Sequence, residues 1–222
     1  TTADNDELKR ANDELNASLA AIEARLPSTK EVDAIVRQVS ALAAESGLVV
    51  ATHAGNDGYD DLIQMWEPGG AESSIFRSPL RNVVTKNRAV SDFYAAAICH
   101  KVFERFPALR LASVENGASW IPDLLHRLDD AANRNPGYFA EHPSETFGEH
   151  VWVTPFWEDD VPGLLGVVRT DRLLLGSDWP HAEGTRRPMD FVTETLAGLS
   201  EEDVARIARV NASDLLGVPL PA

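Results

Sequence analysis

Apolar residues recur in steps of three and four along the first 26 residues of the chain, which predicts an amphipathic helix over residues 4–26. The series consists of Leu8, Asn12, Leu15, Leu19, Ile22 and Leu26. Its spacing is also that of a coiled-coil seam with Asn12 at a core position. Three heptads are short for a free coiled coil, so a helix docked on its own domain is an equal alternative. We therefore treat residues 1–27 as a separate N-terminal segment.

Four short runs of β-type residues alternate with helical segments along residues 28–222. The runs are Leu48–His53, Arg110–Val114, His150–Thr154 and Arg172–Leu175. Predicted helices cover about 28–46, 88–106, 120–133, 161–169 and 200–217, and residues 134–148 are predicted to be a loop. This alternation indicates an α/β fold with a parallel sheet and helical crossovers, without distinguishing a closed barrel from an open sheet. No glycine-rich phosphate loop follows any strand, which argues against a nucleotide-binding open sheet.

Polar or glycine-flanked residues stand at the end of every predicted strand. They are His53, Glu115–Asn116, Trp157–Glu158 and Asp178. In β/α barrels the catalytic residues come from several strand ends at one face, so we expect these side chains at the same end of the sheet. Imidazole nitrogens and carboxylate oxygens are ligands for divalent cations. The residue types alone therefore predict a candidate metal site and no particular reaction.

Charge and cysteine content exclude several classes of partner and site. The chain has 20 basic and 35 acidic residues, a net charge of -15, which disfavours nucleic acid and anionic membranes as partners. A single cysteine, Cys99, rules out an intrachain disulfide and a cysteine-rich zinc site. No apolar run has the length of a membrane span and no signal-like segment opens the chain, so we expect a cytoplasmic location.

Several segments carry a resemblance to a known family. Residues Leu173–His181, with the sequence LLLGSDWPH, resemble the last-strand signature of the amidohydrolase-related family that includes aminocarboxymuconate-semialdehyde decarboxylase and the resorcylate decarboxylases. Residues 50–55 are similar to that family's fifth strand, and residues 102–110 and 120–122 to the segments on either side of its sixth strand. The matches occur in the right order over residues 32–218, and the GSDWPH run is the most specific of them.

This resemblance implies a parallel β/α barrel of the TIM type, of which residues 28–222 would form the C-terminal half, about four of the eight strand–helix units. It also implies a catalytic divalent metal, zinc with manganese as the alternative. His53 and Asp178 would be metal ligands, and Asp178 also the acid/base group. Glu115, Trp157 and His181 would contact the substrate, although His181 is equally well an ordinary turn residue. The expected reaction is hydrolysis or decarboxylation of a small carboxylated or cyclic organic molecule.

The chain departs from the family pattern in two respects. The family takes two ligands from its first strand, as His-x-His or Glu-x-His, and none of the six histidines here fits either pattern. Much of the family has histidine where this chain has Glu115, which could bind metal, accept a hydrogen bond or orient a loop. With only two matched ligands, we expect the chain alone to bind a divalent metal weakly or not at all.

A half-barrel would leave two open sheet edges, so we expect a homodimer or a complementary chain as partner. The alternative is that residues 57–87 and 134–148 fold over the edges and seal them. Two other interpretations of the whole chain stay open. It could be a non-catalytic half-barrel that acts as a binding or assembly subunit, or an open α/β protein of unrelated function.

Overall fold

The structure is a computed structural model that describes residues 29–53, 55, 59–67, 79–181 and 184–220. The helix predicted at 4–26, and with it the separate segment 1–27, lies outside these residues. The first described helix, α1 (Thr29–Ser46), ends at Gly47, whose φ of 64° is the left-handed conformation that favours glycine after a helix. Residues 1–41 and 42–222 form two compact units, and the sheet belongs to the second.

Three parallel strands form the sheet, in the order β1 (Val49–His53), β2 (Arg110–Val114) and β3 (Val151–Val153). Leu111 is the register partner of both Val50 and Val151. The predicted parallel arrangement in chain order is therefore confirmed for these three strands. Because the strands are parallel, their carboxyl ends, at His53 and Val114, lie at the same end of the sheet. This arrangement brings residues that are distant in the sequence close together.

The fourth predicted strand joins the sheet only as a bridge. Leu173 forms a single parallel bridge with Val153, and the Leu174 N–H donates to the Val153 carbonyl over 2.8 Å. The next residue, Leu175, instead donates its N–H to the carbonyl of Ile207 at 3.0 Å. The backbone therefore leaves the sheet after Leu174, because a later helical segment accepts the hydrogen bond that a neighbouring strand would have accepted.

Helices occupy most of the remaining described chain. They are α2 (Asp60–Gln64), α3 (Pro79–Thr85), α4 (Arg88–Cys99), α5 (Val102–Arg105), α6 (Ile121–Arg134), α7 (Pro143–His150), α8 (Val161–Leu164), α9 (Glu201–Ala205) and α10 (Asn211–Leu216). A 3-10 turn covers Thr170–Arg172, and π-helical turns cover Phe191–Thr195 and Arg206–Val210. Among the described residues, no helix has both the length and the apolar character that crossing a membrane requires.

Several predicted helices and loops differ from the structure, and α8, for example, ends at Leu164 although a helix was predicted to residue 169. The predicted helix 88–106 is two helices, because Lys101 adopts a left-handed conformation with a φ of 57°. The loop predicted at 134–148 is present over residues 135–142, but the prediction is wrong for residues 143–148, which belong to α7. Pro143 stands in its first turn, where a missing N–H costs nothing. The Asp129 carboxylate of α6 accepts the Ser144 N–H at 3.2 Å, a contact that only the tertiary fold supplies.

The last predicted helix begins and ends at the expected residues. The Ser200 hydroxyl accepts the Asp203 N–H at 3.1 Å, which is the capping contact that the sequence predicts. Gly217 ends α10 with a φ of 66°. Between these points the helix is not uniform, because a π-helical turn separates α9 from α10.

An aromatic cluster between α4, α6 and α7 forms the centre of the core. The Tyr94 ring stacks on Trp120 at 5.3 Å and meets Phe147 edge-on at 5.8 Å, and all three side chains are buried. The Tyr94 hydroxyl is hydrogen-bonded to the Thr52 hydroxyl at 2.8 Å, one residue before β1 ends. Burial raises the pKa of Tyr94 to about 12. The core therefore reaches directly beneath the polar end of the sheet.

Candidate metal centre at the carboxyl ends of the strands

Two imidazole–carboxylate pairs meet where the strands end. His53, the last residue of β1, lies with Nε2 2.8 Å from Oε2 of Glu115, the first residue after β2. His181 Nδ1 lies 2.9 Å from Oδ1 of Asp178. One ligand atom each from Glu115, Asp178 and His181 lies within 4.8 Å of the others. The structure thus brings four of the five predicted site residues together.

The two site carboxylates stand on unusual backbone. Glu115 has a φ of 56° and Asp178 a φ of 54°, in the left-handed region that costs an L-residue roughly 1–2 kcal/mol. Asn87 and Lys101 are the other non-glycine residues with positive φ in the described part of the chain. Strain of this kind concentrates at functional sites, where the surrounding structure holds it in place.

Asn116, which the sequence analysis placed at a strand end without a role, and Asp159, which it did not name, hold the end of β2 in place. The Asn116 amide donates to the carbonyl of Thr52 at 3.1 Å and to that of Val114 at 2.9 Å. The Asp159 carboxylate accepts the N–H groups of Ala118 and Phe156, both at 2.8 Å. These contacts join the loop after β2 to β1 on one side and to the loop after β3 on the other. Glu115 is therefore fixed from both sides.

The sequence carries a signal for one of these two residues. Asn116 follows Glu115 directly in a Glu-Asn-Gly turn, so its position at a strand end was predicted, although its hydrogen bonds were not. Asp159 has no such signal, because it pairs backbone N–H groups from two loops that are distant in the sequence.

Two pockets open at this end of the sheet. A small pocket of about 80 Å³ is lined by both Glu115 and Asp178, and a larger one of about 340 Å³ is lined by His53. The small pocket is lined by Val114, Glu115, Thr154, Pro155, Phe156, Gly176 and Asp178. The larger is lined by Thr52, His53, Gly55, Ala89, Val90, Phe93 and Asn116. Phe156 thus lines the small pocket, whereas the neighbouring Trp157 is 47% exposed, and its contact with a substrate stays a prediction.

Charge at this site is negative and only partly shielded. The Glu115 and Asp178 side chains are 24% and 21% exposed, and no lysine or arginine of the described residues forms an ion pair with either. Their partners are the imidazoles of His53 and His181, which are charged only when protonated. Two nearby carboxylates with imidazoles beside them are the donor set that zinc and manganese accept. The residues present therefore fit a divalent metal.

Comparison with known proteins identifies the family. Residues 5–218 match the family model described as amidohydrolase. The chain belongs to the amidohydrolase family. This confirms the predicted resemblance and implies a fold of the TIM-barrel type.

Solved structures of several family members resemble this chain. An amidohydrolase from Mycobacterium avium subsp. paratuberculosis K-10 is 42% identical over 81% of this chain and 45% of that chain, with a TM-score of 0.73. A 5-carboxyvanillate decarboxylase from Sphingomonas paucimobilis is 21% identical over 82% of this chain and 52% of its own, with a TM-score of 0.61. A dihydroxybenzoic acid decarboxylase from Polaromonas sp. JS666 was solved with bound manganese and the inhibitor 2-nitroresorcinol. It is 17% identical over 79% of this chain and 52% of its own, with a TM-score of 0.61.

These matches also define how much of a family member the chain represents. The chain spans about half the length of the structures that it resembles. The two decarboxylases are distant enough in sequence that their likeness concerns the fold.

Proposed function

We propose that this chain supplies the second half of the active site of a metal-dependent hydrolase or decarboxylase. The observation that carries the proposal is the convergence of ligand atoms from Glu115, Asp178 and His181 within 4.8 Å, beside a pocket at the carboxyl ends of parallel strands. Membership of the amidohydrolase family and the likeness to decarboxylase structures support it. Residues 28–222 would then be about four of the eight units of the barrel.

His53 and Asp178 are the proposed metal ligands. Both come from strand ends, and their imidazole and carboxylate suit zinc, with manganese as the alternative that the Polaromonas decarboxylase contains. The metal, when bound, supplies a positive charge that stabilises negative charge on a substrate carboxylate or phenol, or on an attacking water.

Asp178 is the proposed acid/base group. Its Oδ1 pairs with Nδ1 of His181 at 2.9 Å, and its side chain is only 21% exposed, so the carboxylate is held in one orientation at the pocket wall. In hydrolysis this carboxylate would take a proton from the attacking water. In decarboxylation the bond from the ring to the carboxylate carbon breaks, carbon dioxide leaves, and Asp178 would deliver the proton that replaces it.

The surroundings suit a small carboxylated or cyclic organic substrate. Val114, Pro155 and Phe156 give the small pocket apolar walls that can pack against a planar ring and exclude water. Trp157 and His181 are exposed beside this region and remain the proposed substrate contacts, with Glu115 as the third that the sequence predicts. A pocket of about 80 Å³ is small beside the several hundred Å³ typical of ligand sites, so we propose that the opposite half of the barrel supplies the rest of the binding site.

The missing half of the barrel also motivates a proposal about assembly. Among the described residues, β1 pairs only with β2, and the fourth segment pairs only with β3, which leaves both edges of the sheet without a strand. We expect a homodimer or a complementary chain to cover them. Sedimentation at micromolar concentration tests this, and a clean monomer of 24.2 kDa that binds no hydrophobic dye would contradict it.

Turnover tests the function itself. The chain, combined with the N-terminal half of the Mycobacterium avium amidohydrolase, is assayed against hydroxybenzoic acids and cyclic amides with zinc or manganese present. We expect metal-dependent release of carbon dioxide or of a hydrolysis product from at least one compound. A correctly assembled, metal-loaded complex that turns over none of them would favour a non-catalytic binding or assembly subunit.

A further inference from the structure

We infer that Glu115 is itself a metal ligand that completes a three-residue set with His53 and Asp178. This inference rests on the proposed function and changes the role of Glu115 from substrate contact to ligand. Counting His53 and Asp178 alone predicts weak metal binding, because a catalytic zinc site ordinarily has three protein ligands and one open position. With Glu115 the chain supplies all three.

Distances between donor atoms support this assignment. Two ligands on opposite sides of a zinc ion are at most about 4.4 Å apart, given bonds of about 2.0–2.2 Å. The ligand atoms of Glu115 and Asp178 already lie within 4.8 Å of each other, and Glu115 Oε2 is 2.8 Å from His53 Nε2. Glu115 is thus the residue that both other ligands approach, and the His53 imidazole, which lies outside the group within 4.8 Å, would move toward Asp178 to bind the same ion.

The charges around Glu115 point the same way. Glu115 and Asp178 repel each other when both are ionised, and no lysine or arginine of the described chain forms an ion pair with either. Among the described residues, the ion-pair partners of the two carboxylates are the imidazoles of His53 and His181. A divalent cation among the same atoms would balance the charge of both carboxylates.

The backbone around Glu115 favours a fixed ligand over a mobile substrate contact. Asn116 ties the turn to β1, and Asp159 ties it to the loop after β3. Its side chain is 24% exposed and lines the small pocket together with Asp178. A ligand held in this way needs little reorganisation to bind an ion, whereas a residue that only contacts substrate would not need to face His53.

The competing role is that Glu115 orients His53 through a hydrogen bond without touching the metal. Glu115→Gln separates the two roles, because the amide oxygen can still accept the His53 N–H while the charged ligand atom is lost. Glu158→Gln is the matched control, since it makes the same chemical change at an exposed position beyond the end of β3. Circular dichroism and thermal melting establish that each variant is folded.

Binding of Mn²⁺ and Co²⁺ to the 222-residue chain, measured by calorimetry, is the first test. We expect one ion per chain in the wild-type protein and in Glu158→Gln, and binding at least tenfold weaker in folded Glu115→Gln. Equal affinity of Glu115→Gln and Glu158→Gln would overturn the inference while leaving the proposed function intact. No binding by the wild-type chain would contradict both the inference and a metal site in this half.

The visible spectrum of bound Co²⁺ is the second test, and it does not depend on activity. In Glu115→His an imidazole nitrogen takes the place of the carboxylate oxygen, so the ligand field of the ion changes. We expect the absorption bands to shift relative to the wild-type protein and to Glu158→Gln. Bands that stay unchanged in Co²⁺-loaded Glu115→His would show that residue 115 does not touch the metal.

Discussion

The charged side chains at the two ends of the sheet differ in the partners that balance their charge. At the carboxyl ends, the carboxylates of Glu115 and Asp178 pair, among the described residues, with the imidazoles of His53 and His181. At the opposite end, Arg110 begins β2 and donates to the carbonyls of Leu215, at 2.6 Å, and Gly47. There each charge has backbone carbonyls or a carboxylate within direct reach.

Arg172 shows how complete this neutralisation is. It donates to the Gly148 carbonyl at 2.7 Å and to Asp171 at 2.7 Å, and its guanidinium lies 4.4 Å from the centre of the Trp152 ring. Burial raises the pKa of the Asp171 carboxyl, but the hydrogen bond from Arg169 and the charge of Arg172 outweigh it and hold that pKa below its usual value.

This difference suggests that charged residues at the two ends of the strands serve different purposes, stability at one end and the proposed function at the other. At the amino ends, Arg110 and Arg172 are paired with backbone carbonyls and a carboxylate, contacts that stabilise the fold. At the carboxyl ends, Glu115 and Asp178 stand on left-handed backbone, which costs stability and is typical of functional sites. Substitutions at the two ends should therefore affect different measurements.

The largest expected effect is on turnover. Asp178→Asn in the assembled enzyme should lower kcat by about 10²–10⁴-fold or more, because the amide loses both the metal-binding charge and the basic lone pair. The melting temperature should fall little. Wild-type turnover by the variant would remove Asp178 from the mechanism, and Glu158→Gln serves as the control for a lost charge near the strand ends.

The second effect should appear in stability alone. Arg172→Met removes charged hydrogen bonds from a side chain that is 15% exposed, which should lower the free energy of unfolding by about 2–3 kcal/mol. Denaturant titration measures this change, and calorimetry should find metal affinity unchanged in the folded variant. If metal affinity fell together with stability, the two ends of the sheet would be coupled, and their separation into different roles would be contradicted.

A smaller effect is expected beneath the site. Tyr94→Phe loses the hydrogen bond to Thr52, at a cost of about 1 kcal/mol near neutral pH. Because the folded pKa of Tyr94 is raised to about 12, its contribution to stability is complete below the unfolded value of 10.0 and is lost as the pH rises from there through 12. The variant should lack this alkaline loss. Identical alkaline unfolding profiles for both proteins would contradict the assignment.

The smallest expected effect is that of Asp171 on the free energy of unfolding at acid pH. Its lowered pKa means that it stabilises the fold above the unfolded value of 3.8 and that this contribution disappears as the pH falls below it. Its side chain is 33% exposed, so solvent screening keeps the contribution below about 1 kcal/mol. Acid titration of Asp171→Asn should show a slightly shallower loss of stability than the wild-type protein, and a steeper one would contradict this explanation.

Sequence patterns predicted those features that depend on neighbouring residues. The parallel strands, the capping contact at Ser200 and the strand-end positions of His53 and Asp178 all follow from short segments of sequence. Features that depend on distant partners were not predictable in this way. The helix at 143–150 depends on Asp129, and the shortened fourth strand depends on a hydrogen bond from Leu175 to Ile207.

The candidate site divides along the same line. The strand-end pattern in the sequence identified Glu115 as a candidate site residue. The departure from the family pattern at this position left several roles open for it. The left-handed backbone conformation of Glu115 and its contact with His53 could not be predicted from the sequence. Both depend on loops that Asp159 joins in the folded chain. A residue whose role is to hold two loops together leaves no periodic or motif signal in the sequence.

Anomalous diffraction from zinc-loaded crystals tests the central claim most directly. Data collected on both sides of the zinc absorption edge locate the metal without any assumption about activity. We predict one strong peak at the carboxyl ends of the strands, about 2.0–2.2 Å from ligand atoms of His53 and Asp178. The imidazole–carboxylate pair of His142 and Asp129 on the helices is an internal comparison, with its atoms 3.0 Å apart. A strongest peak at that pair, with none between His53 and Asp178, would contradict the account.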